Sequence, residues 1–222
     1  MTDRPPTVQR EYRAPELRLA RVHRRARHGG LVGVLILAAG LMVLAGCSRQ
    51  PPFKLQSISG LVPALQFNLT DGDGRAVTAQ NYRGDVVLLY FGYTHCPDVC
   101  PTTLAMLAQA IKGLGASASK VRVLFVSVDP RRDTAALMKR YVSYFGPQFV
   151  GLRGADNVLR PLTRRYRIAY HADPPDSYGN YAVEHSSAVF IFDQTGHARL
   201  LALSGDAPAS ITQDLSRLLN SN

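Results

Sequence analysis

The longest apolar runs of the chain predict two buried strands. The runs VVLLYFG at residues 86–92 and VRVLFVSV at residues 121–128 are almost wholly apolar, which is typical of strands covered on both faces of a sheet. Two shorter alternating runs flank the turn residues of FNLTDGDGRAVT at residues 67–78, a pattern that predicts a β-hairpin. Further strands are predicted at FVGL, residues 149–152, at AVFIFD, residues 188–193, and at RLLALSG, residues 199–205.

Helical periodicity fills the intervals between these strands. Leu104, Leu107, Ile111 and Leu114 recur at spacings of three, four and three, which places them on one face of a helix. Three more helices are predicted: one capped by Asp133 with Leu137, Tyr141 and Tyr144 facing inward, one from Asp156 to Tyr166, and one from Pro208 with Ile211, Leu215 and Leu218 facing inward. The polar stretch YHADPPDSYGNYAVEHSS, residues 170–187, is predicted to be a loop.

The order of these elements indicates the fold class. An early hairpin is followed by buried strands alternating with helices, then by a second hairpin and a last helix. This order predicts an α/β fold with a thioredoxin-like mixed sheet flanked by helices and an N-terminal β-hairpin extension. In that architecture a cysteine pair directly after the first central strand has a natural place, although the fold alone does not specify a chemistry.

The N-terminal 47 residues have the pattern of an export segment. Residues 1–30 carry eight arginines and three acidic residues, and residues 31–46 form an uncharged apolar run that Cys47 follows directly, which gives LAGC at residues 44–47. Sixteen apolar residues suit a signal sequence better than a spanning helix, which needs about 20. The LAGC ending resembles a bacterial lipobox, which predicts lipidation of Cys47; the alternative is an uncleaved membrane anchor.

Both alternatives give the same topology and domain plan. Arginines remain cytoplasmic, so the rest of the chain lies on the outer side of the inner membrane. We therefore expect a bacterial membrane protein whose domain faces the periplasm. Residues 48–61 contain a Pro-Pro step and no periodicity, which predicts a tether. The thioredoxin-like domain is expected over residues 62–222.

The net charge of the chain does not indicate a nucleic-acid partner. The formal charge of +10 divides evenly, because residues 47–222 hold 18 Lys or Arg and 13 Asp or Glu. The densest basic run of the domain, RRYR at residues 164–167, is more typical of a solvated helix end than of a docking surface.

The segment YFGYTHCPDVCPTTL, residues 90–104, carries the candidate chemistry. Cys96 and Cys100 each precede a proline, so we place a helix start at Pro101 with Cys100 as its cap. A helix N-terminus favours thiolates, which predicts a lowered pKa for one or both cysteines. A purely structural disulfide would close too short a loop to stabilise the fold much. A redox pair and a soft-metal site for Cu(I) or Zn both remain open.

Histidine is the natural third ligand for such a metal site. His23 and His28 lie on the cytoplasmic side of the export segment, and His197 occupies a turn where a solvated imidazole is expected. His95 adjoins Cys96 and is expected to point away from it, while His171 lies in the long predicted loop. His185 directly precedes the strand AVFIFD. That junction faces the cysteine loop in thioredoxin-like folds, so His185 is the favoured candidate.

Three segments together resemble the Sco/SenC family, which comprises membrane-tethered copper chaperones for cytochrome c oxidase assembly. They are the cysteine segment, SVDPRRDT at residues 127–134, and PDSYGNYAVEHSS at residues 175–187. The resemblance extends from about Val62 to Leu219. It implies a metallochaperone rather than an enzyme, with copper as its cofactor, bound as Cu(I) by Cys96, Cys100 and His185 and as Cu(II) by the same residues with an added ligand.

The resemblance also implies the partners of the chain. An upstream donor would load the copper, and the recipient would be the dinuclear copper site of cytochrome c oxidase subunit II. Asp129 and Asp133 would lie near the site without binding metal. The alternative is a membrane-tethered thiol-disulfide oxidoreductase, with Cys96 and Cys100 as its redox-active disulfide, that reduces the recipient's cysteines. A peroxidase is a weaker alternative, for which Thr94 is the only nearby candidate threonine before Cys96.

Overall fold

The structure is a computed structural model and describes residues 52–221. The predicted export segment with Cys47, and residues 48–51 of the predicted tether, lie outside the described residues. The strands are β1 (Gln56–Ser57), β2 (Asn68–Asp71), β3 (Ala76–Thr78), β4 (Val86–Gly92), β5 (Val121–Ser127), β6 (Phe149–Arg153), β7 (Tyr170–Ala172), β8 (Val183–His185), β9 (Val189–Phe192) and β10 (Ala198–Ala202). The α-helices are α1 (Val99–Lys112), α2 (Ala135–Ser143), α3 (Asp156–Arg165) and α4 (Pro208–Asn220), and short 3-10 helices cover Ala79–Tyr82 and Gly115–Lys120.

Eight strands form one mixed sheet in the order β1-β10-β9-β4-β5-β6-β2-β3. The central strands β4, β5 and β6 are parallel, while β9 is antiparallel to β4. The β2-β3 hairpin extends the sheet beside β6. The predicted strands and helices are therefore present, and the fold is the predicted mixed α/β sheet flanked by helices.

The core lies on both faces of the sheet, because every residue of β4 is buried. On one face, Leu88 and Tyr90 of β4 pack in a cluster with Leu107 of α1, Met138 of α2 and Leu215 of α4. On the other face, the intervening residues of β4 join a cluster that includes Leu159 and Leu162 of α3. An uninterrupted apolar strand is stable here because helices cover both of its faces.

Two helix starts differ from the sequence-based expectation. Helix α1 begins at Val99, so Cys100 lies within its first turn and Pro101 occupies a first-turn position that makes no intrahelical N–H bond. Helix α2 is capped by Thr134, whose hydroxyl accepts the N–H of Leu137. The prediction that Asp133 caps this helix is therefore wrong.

The inward face of α2 also differs from the prediction. Its buried residues are Met138 and Val142, whereas Tyr144 is 78% exposed and Leu137 is only half-buried. The buried stripe of Met138 and Val142 therefore lies one position after the predicted stripe of Leu137 and Tyr141.

The structured domain begins earlier than the composition suggested. Strand β1 pairs with β10, and its neighbours Leu55 and Ile58 are buried. The tether was predicted over residues 48–61, and the part of it around Leu55 and Ile58 thus packs on the domain. Within residues 52–221, no helix combines the length and the apolar character needed to cross a membrane.

Candidate metal centre

The sheet brings two distant segments to one edge. Strand β4 ends at Gly92 and leads into the cysteine loop, and Val189 of the antiparallel strand β9 pairs with Tyr90 near that end of β4. Because β9 runs in the opposite direction, the residues before Val189 lie at the carboxyl end of β4. His185 therefore approaches the cysteine loop, although 85 positions separate it from Cys100.

A short hairpin positions His185, and sequence reasoning missed it. Strands β7 and β8 form a separate two-stranded antiparallel sheet in which Tyr170 pairs with His185. The polar composition of residues 170–187 concealed these strands, since three-residue strands give too little alternation to be recognised.

Cys100 lies in the first turn of α1 with no exposed surface. Its Sγ accepts a hydrogen bond from the Tyr90 hydroxyl at 3.6 Å. Gly92 leaves room for this sulfur, because a β-carbon at position 92 would lie 2.7 Å from it. Tyr90 and Gly92 belong to an apolar strand, so the sequence alone marked them only as core.

Cys96 is the more accessible sulfur of the pair, and it is half-buried. Its Sγ accepts the backbone N–H of Cys100 at 3.4 Å. That N–H is one of the first-turn donors of α1 that lack an intrahelical partner. The sulfur of Cys96 therefore acts as a cap for the helix, and the expected fold of Cys96 over the helix N-terminus is present.

The hydrogen bonds of His185 select its tautomer. Nδ1 lies 3.0 Å from the Ser186 carbonyl oxygen, which can only accept, so Nδ1 carries the proton. The lone pair of Nε2 then faces Cys100 Sγ at 3.3 Å. A protonated Cys100 thiol donates to this nitrogen, and a metal ion in place of the thiol proton would meet both ligand atoms.

Burial keeps both of these groups neutral at pH 7. Desolvation raises the pKa of the Cys100 thiol to about 12, against hydrogen bonds from the Tyr93 backbone and the Tyr90 hydroxyl. Desolvation also lowers the pKa of His185, although its bond to Ser186 opposes this shift. The expectation of a lowered thiol pKa is therefore wrong for Cys100, because the loss of water outweighs the hydrogen bonds that favour the thiolate.

Cys96, Cys100 and His185 form a group that could hold a metal ion, and their ligand atoms all lie within 4.8 Å of one another. Two sulfurs and an imidazole nitrogen suit a soft ion such as Cu(I). The two other candidate histidines near the site stay outside the group. His95 is exposed and its Nδ1 lies 3.1 Å from the Thr94 hydroxyl, while His171 is exposed and pairs with Glu184 across the hairpin.

The solvated turn position of His197 agrees with the prediction. Its side chain is 73% exposed, and Nδ1 lies 2.7 Å from the Thr195 hydroxyl in the β9-β10 turn. This turn is at the opposite end of β9 from the cysteine loop, because Ala198 pairs with Phe192 while Val189 pairs with Tyr90.

A buried carboxylate holds the start of the cysteine loop. Asp133 has no exposed surface, and it accepts the Thr94 N–H at 3.2 Å and the Thr94 hydroxyl at 2.5 Å. The Ser127 hydroxyl donates to the same carboxylate at 2.6 Å. Asp129 and Asp133 lie outside the group of metal-binding atoms. The Thr94 hydroxyl is engaged by Asp133 rather than by Cys96.

The sequence of the chain is similar to those of several SCO2 homologues and SCO2-like proteins. The SCO2 homolog of Bos taurus, a mitochondrial protein, is 43% identical over 132 residues, which make up 59% of this chain and 50% of that protein. The chain thus spans about half the length of this relative and of its mouse and human counterparts. A SCO2-like protein of Rickettsia typhi is 33% identical over 171 residues, or 75% of this chain and 84% of that protein.

A solved structure shares the fold. ScoI of Bradyrhizobium japonicum, determined with copper bound, superposes with a TM-score of 0.65 and 37% identity over 70% of this chain and 99% of that chain. This likeness confirms the thioredoxin-like class. The family model described as SCO1/SenC matches residues 61–220, a span that includes both cysteines, His185 and the strands that bring them together. The chain therefore belongs to the SCO1/SenC family.

Proposed function

We propose that this protein is a copper metallochaperone that binds Cu(I) through Cys96, Cys100 and His185. The observation that carries the proposal is the convergence of these three ligand atoms within 4.8 Å. Copper-bound ScoI, which shares the fold, supports the choice of metal. Two thiolates and Cu(I) leave one net negative charge, which the Cys100 N–H and the Tyr90 hydroxyl offset by donating to the sulfurs.

The site has one buried and two accessible ligands, which suits transfer. Cys100 is fully buried, whereas Cys96 and His185 line a surface cavity of about 330 Å³ with Pro97 and Val99. A ligand of a recipient protein can approach on this side while Cys100 still holds the metal. Cu(I) accepts low coordination numbers, so copper would move by stepwise ligand exchange rather than by release into solvent.

We propose the dinuclear copper site of cytochrome c oxidase subunit II as the recipient. An upstream copper donor would load Cys96 and Cys100. The role of the family in oxidase assembly supports this assignment, as does the predicted export of the domain to the side of the inner membrane that faces the periplasm. Cys47 would anchor the chain through a lipid, with an uncleaved helix as the alternative, and the intact mass of the mature protein separates these two forms.

An anaerobic Cu(I) titration tests the metal site. The soluble domain should bind one equivalent of Cu(I), and His185→Ala should weaken binding about 10- to 100-fold. His197→Ala is the matched control, since it removes an exposed imidazole from the distant turn. Equal affinities for the His185→Ala and His197→Ala proteins would contradict the proposal.

Thiol-disulfide exchange is a second candidate because Cys96 and Cys100 are both free and close to each other. Cys96 would attack, since it is more accessible and accepts the Cys100 N–H. The resulting mixed disulfide would be resolved by Cys100, which releases the reduced substrate and leaves a Cys96–Cys100 disulfide. Here Cys96→Ser should abolish exchange with a model disulfide, while His185→Ala should leave the rate nearly unchanged. Copper binding instead predicts that Cys96→Ser and His185→Ala both weaken Cu(I) binding.

A further inference from the structure

The loop between β5 and α2 contacts both halves of the metal centre. Asp133 of this loop holds Thr94 at the start of the cysteine loop. Two other residues of the same loop, Asp129 and Arg132, contact Tyr181, which lies four positions before His185. We call Asp129, Arg132 and Tyr181 the latch.

Each pair of latch residues is joined by a direct contact. The Tyr181 hydroxyl donates to Asp129 Oδ1 at 2.8 Å, and Arg132 Nε donates to Oδ2 of the same carboxylate. Arg132 Nη1 donates to the Tyr181 carbonyl at 2.9 Å, and its guanidinium carbon lies 3.5 Å from the centroid of the Tyr181 ring. Arg132 thus holds both the backbone and the ring of Tyr181.

Asp129 and Arg132 of the latch are sheltered from solvent, which strengthens the contact between them. Asp129 is 4% exposed and the Arg132 side chain is 19% exposed. An ion pair with planar geometry and little solvent screening holds its partners in one arrangement better than an exposed pair does. Because Asp129 and Arg132 already hold each other in place, they lose little further conformational freedom when they bind Tyr181.

The position of Tyr181 bears directly on His185. Two residues after Tyr181, the Val183 N–H donates to the Tyr93 hydroxyl at 3.3 Å. Two residues further on, the His185 ring meets the Tyr93 ring edge to face, with centroids 5.9 Å apart. The Arg132 guanidinium also lies 5.6 Å from the Tyr93 ring centroid. Arg132 and Tyr93 together thus fix the strand that carries the imidazole.

We infer that Arg132 and Tyr181 are positioning residues that hold His185 against the cysteine loop and so determine whether the metal gains its third ligand. When the latch is closed, Nε2 faces Cys100 Sγ. When the latch is broken, the hairpin loses its contact with the β5-α2 loop, and the two sulfurs remain as the binding site. The inference rests on the proposed copper-binding function for its consequence but not for its geometry.

The geometry is tested in the metal-free protein. Tyr181→Ala removes the ring while the Asp129–Arg132 pair stays intact, so a buried carboxylate is not left alone. By NMR, the nuclear Overhauser contacts between the Tyr93 and His185 rings should weaken at least severalfold in this variant. Arg131→Ala is the matched control, because it removes an exposed arginine of the same loop and should leave those contacts unchanged.

The consequence is tested by a double-mutant cycle with Cu(I). In the wild-type background, Tyr181→Ala and Arg132→Ala should each weaken binding about 10- to 100-fold, as expected when a group that orients a ligand is lost. In the His185→Ala background, the same changes should have almost no effect, since the ligand they position is already absent. A general structural defect would weaken binding in both backgrounds.

The possible results separate the two proposals. Ring contacts that persist in Tyr181→Ala overturn the latch, whatever the metal data show. Equal losses of affinity in both backgrounds also overturn it. If His185→Ala itself leaves the Cu(I) affinity unchanged, the proposed copper site fails, while the NMR contacts still decide the latch. Arg132→Lys, which keeps a charge but not the planar contact with Tyr181, should recover only part of the wild-type affinity.

Discussion

Gly92 lies directly beside the sulfur of Cys100, at a distance that excludes any larger residue. A β-carbon built at position 92 would lie 2.7 Å from Cys100 Sγ and 2.6 Å from Cε2 of Phe125. Both neighbours are fully buried. The last residue of β4 is therefore part of the construction of the candidate metal centre, because the buried sulfur occupies the space that a side chain would take.

Gly92→Ala should displace the Cys100 sulfur. The phenyl ring on the other side cannot easily yield, so we expect Cu(I) affinity to fall about tenfold or more and the free energy of unfolding to fall by about 1–3 kcal/mol. Competition titration with a Cu(I) chelator and urea unfolding measure the two effects.

Gly205→Ala provides the control for this change, since a β-carbon at position 205 would meet nothing within 4 Å. It should leave both the affinity and the stability unchanged. Wild-type affinity in Gly92→Ala would show that the sulfur does not need its present position to bind the metal.

Copper binding should release the proton of the Cys100 thiol. Burial raises the pKa of this thiol to about 12, so at pH 7 it is protonated in the metal-free protein and must become a thiolate to bind. His185 contributes no proton, because burial lowers its pKa and its Nε2 is already free at neutral pH. The apparent Cu(I) affinity should therefore rise with pH between 6 and 8, by about tenfold per unit for each proton released.

Calorimetry in buffers of different ionisation enthalpy counts these protons. Cys100→Ser should release one proton fewer than the wild-type protein. Binding without any proton release would mean that Cys100 is already a thiolate before the metal arrives, in conflict with its burial.

Asp133→Asn should loosen the cysteine loop. The carboxylate accepts bonds from Thr94 and from the Ser127 hydroxyl, whereas an amide would turn its NH₂ group toward one of these donors. A buried donor without an acceptor costs about 1–3 kcal/mol, and we expect the free energy of unfolding to fall by that amount. Ser127→Ala removes one donor to this carboxylate and also the acceptor of the buried Asp129 N–H, so it should lower the free energy of unfolding by a similar amount. Urea unfolding ranks the variants, and equal stability of Asp133→Asn and wild type would contradict the role assigned to this carboxylate.

The sequence predicted the sheet well because its central strands are long and apolar, and covered on both faces. It also identified the three candidate ligands, since soft-metal chemistry limits the choice of side chains. It did not predict the β7-β8 hairpin or the contacts of Arg132 with Tyr181. The Arg132–Tyr181 contacts join residues 49 positions apart, which a local pattern cannot show. The strands of the hairpin are close in the sequence, but three polar residues each give too little alternation to be recognised.

The early start of the domain was missed for a related reason. Residues 53–58 are too few to show periodicity, and the Pro-Pro step suggested a linker. Their burial depends on a distant residue, because the fully buried carboxylate of Asp214 accepts the N–H groups of Lys54 and Leu55, both at 2.8 Å. The side chain of Arg217 adds a bond to the Pro52 carbonyl and lies 4.2 Å from the Phe53 ring centroid.

Asp214→Ala should detach this segment from α4. Two backbone N–H groups would lose their acceptor, and we expect the amide protons of Lys54 and Leu55 to exchange with solvent at least tenfold faster while the protection of β4 stays high. Asp214→Asn is the matched control, because the amide oxygen can still accept both bonds, and its exchange should remain close to that of the wild type. Hydrogen exchange followed by NMR measures both variants. If Lys54 and Leu55 stay protected in Asp214→Ala, the pairing of β1 with β10 would be sufficient to hold the start of the domain.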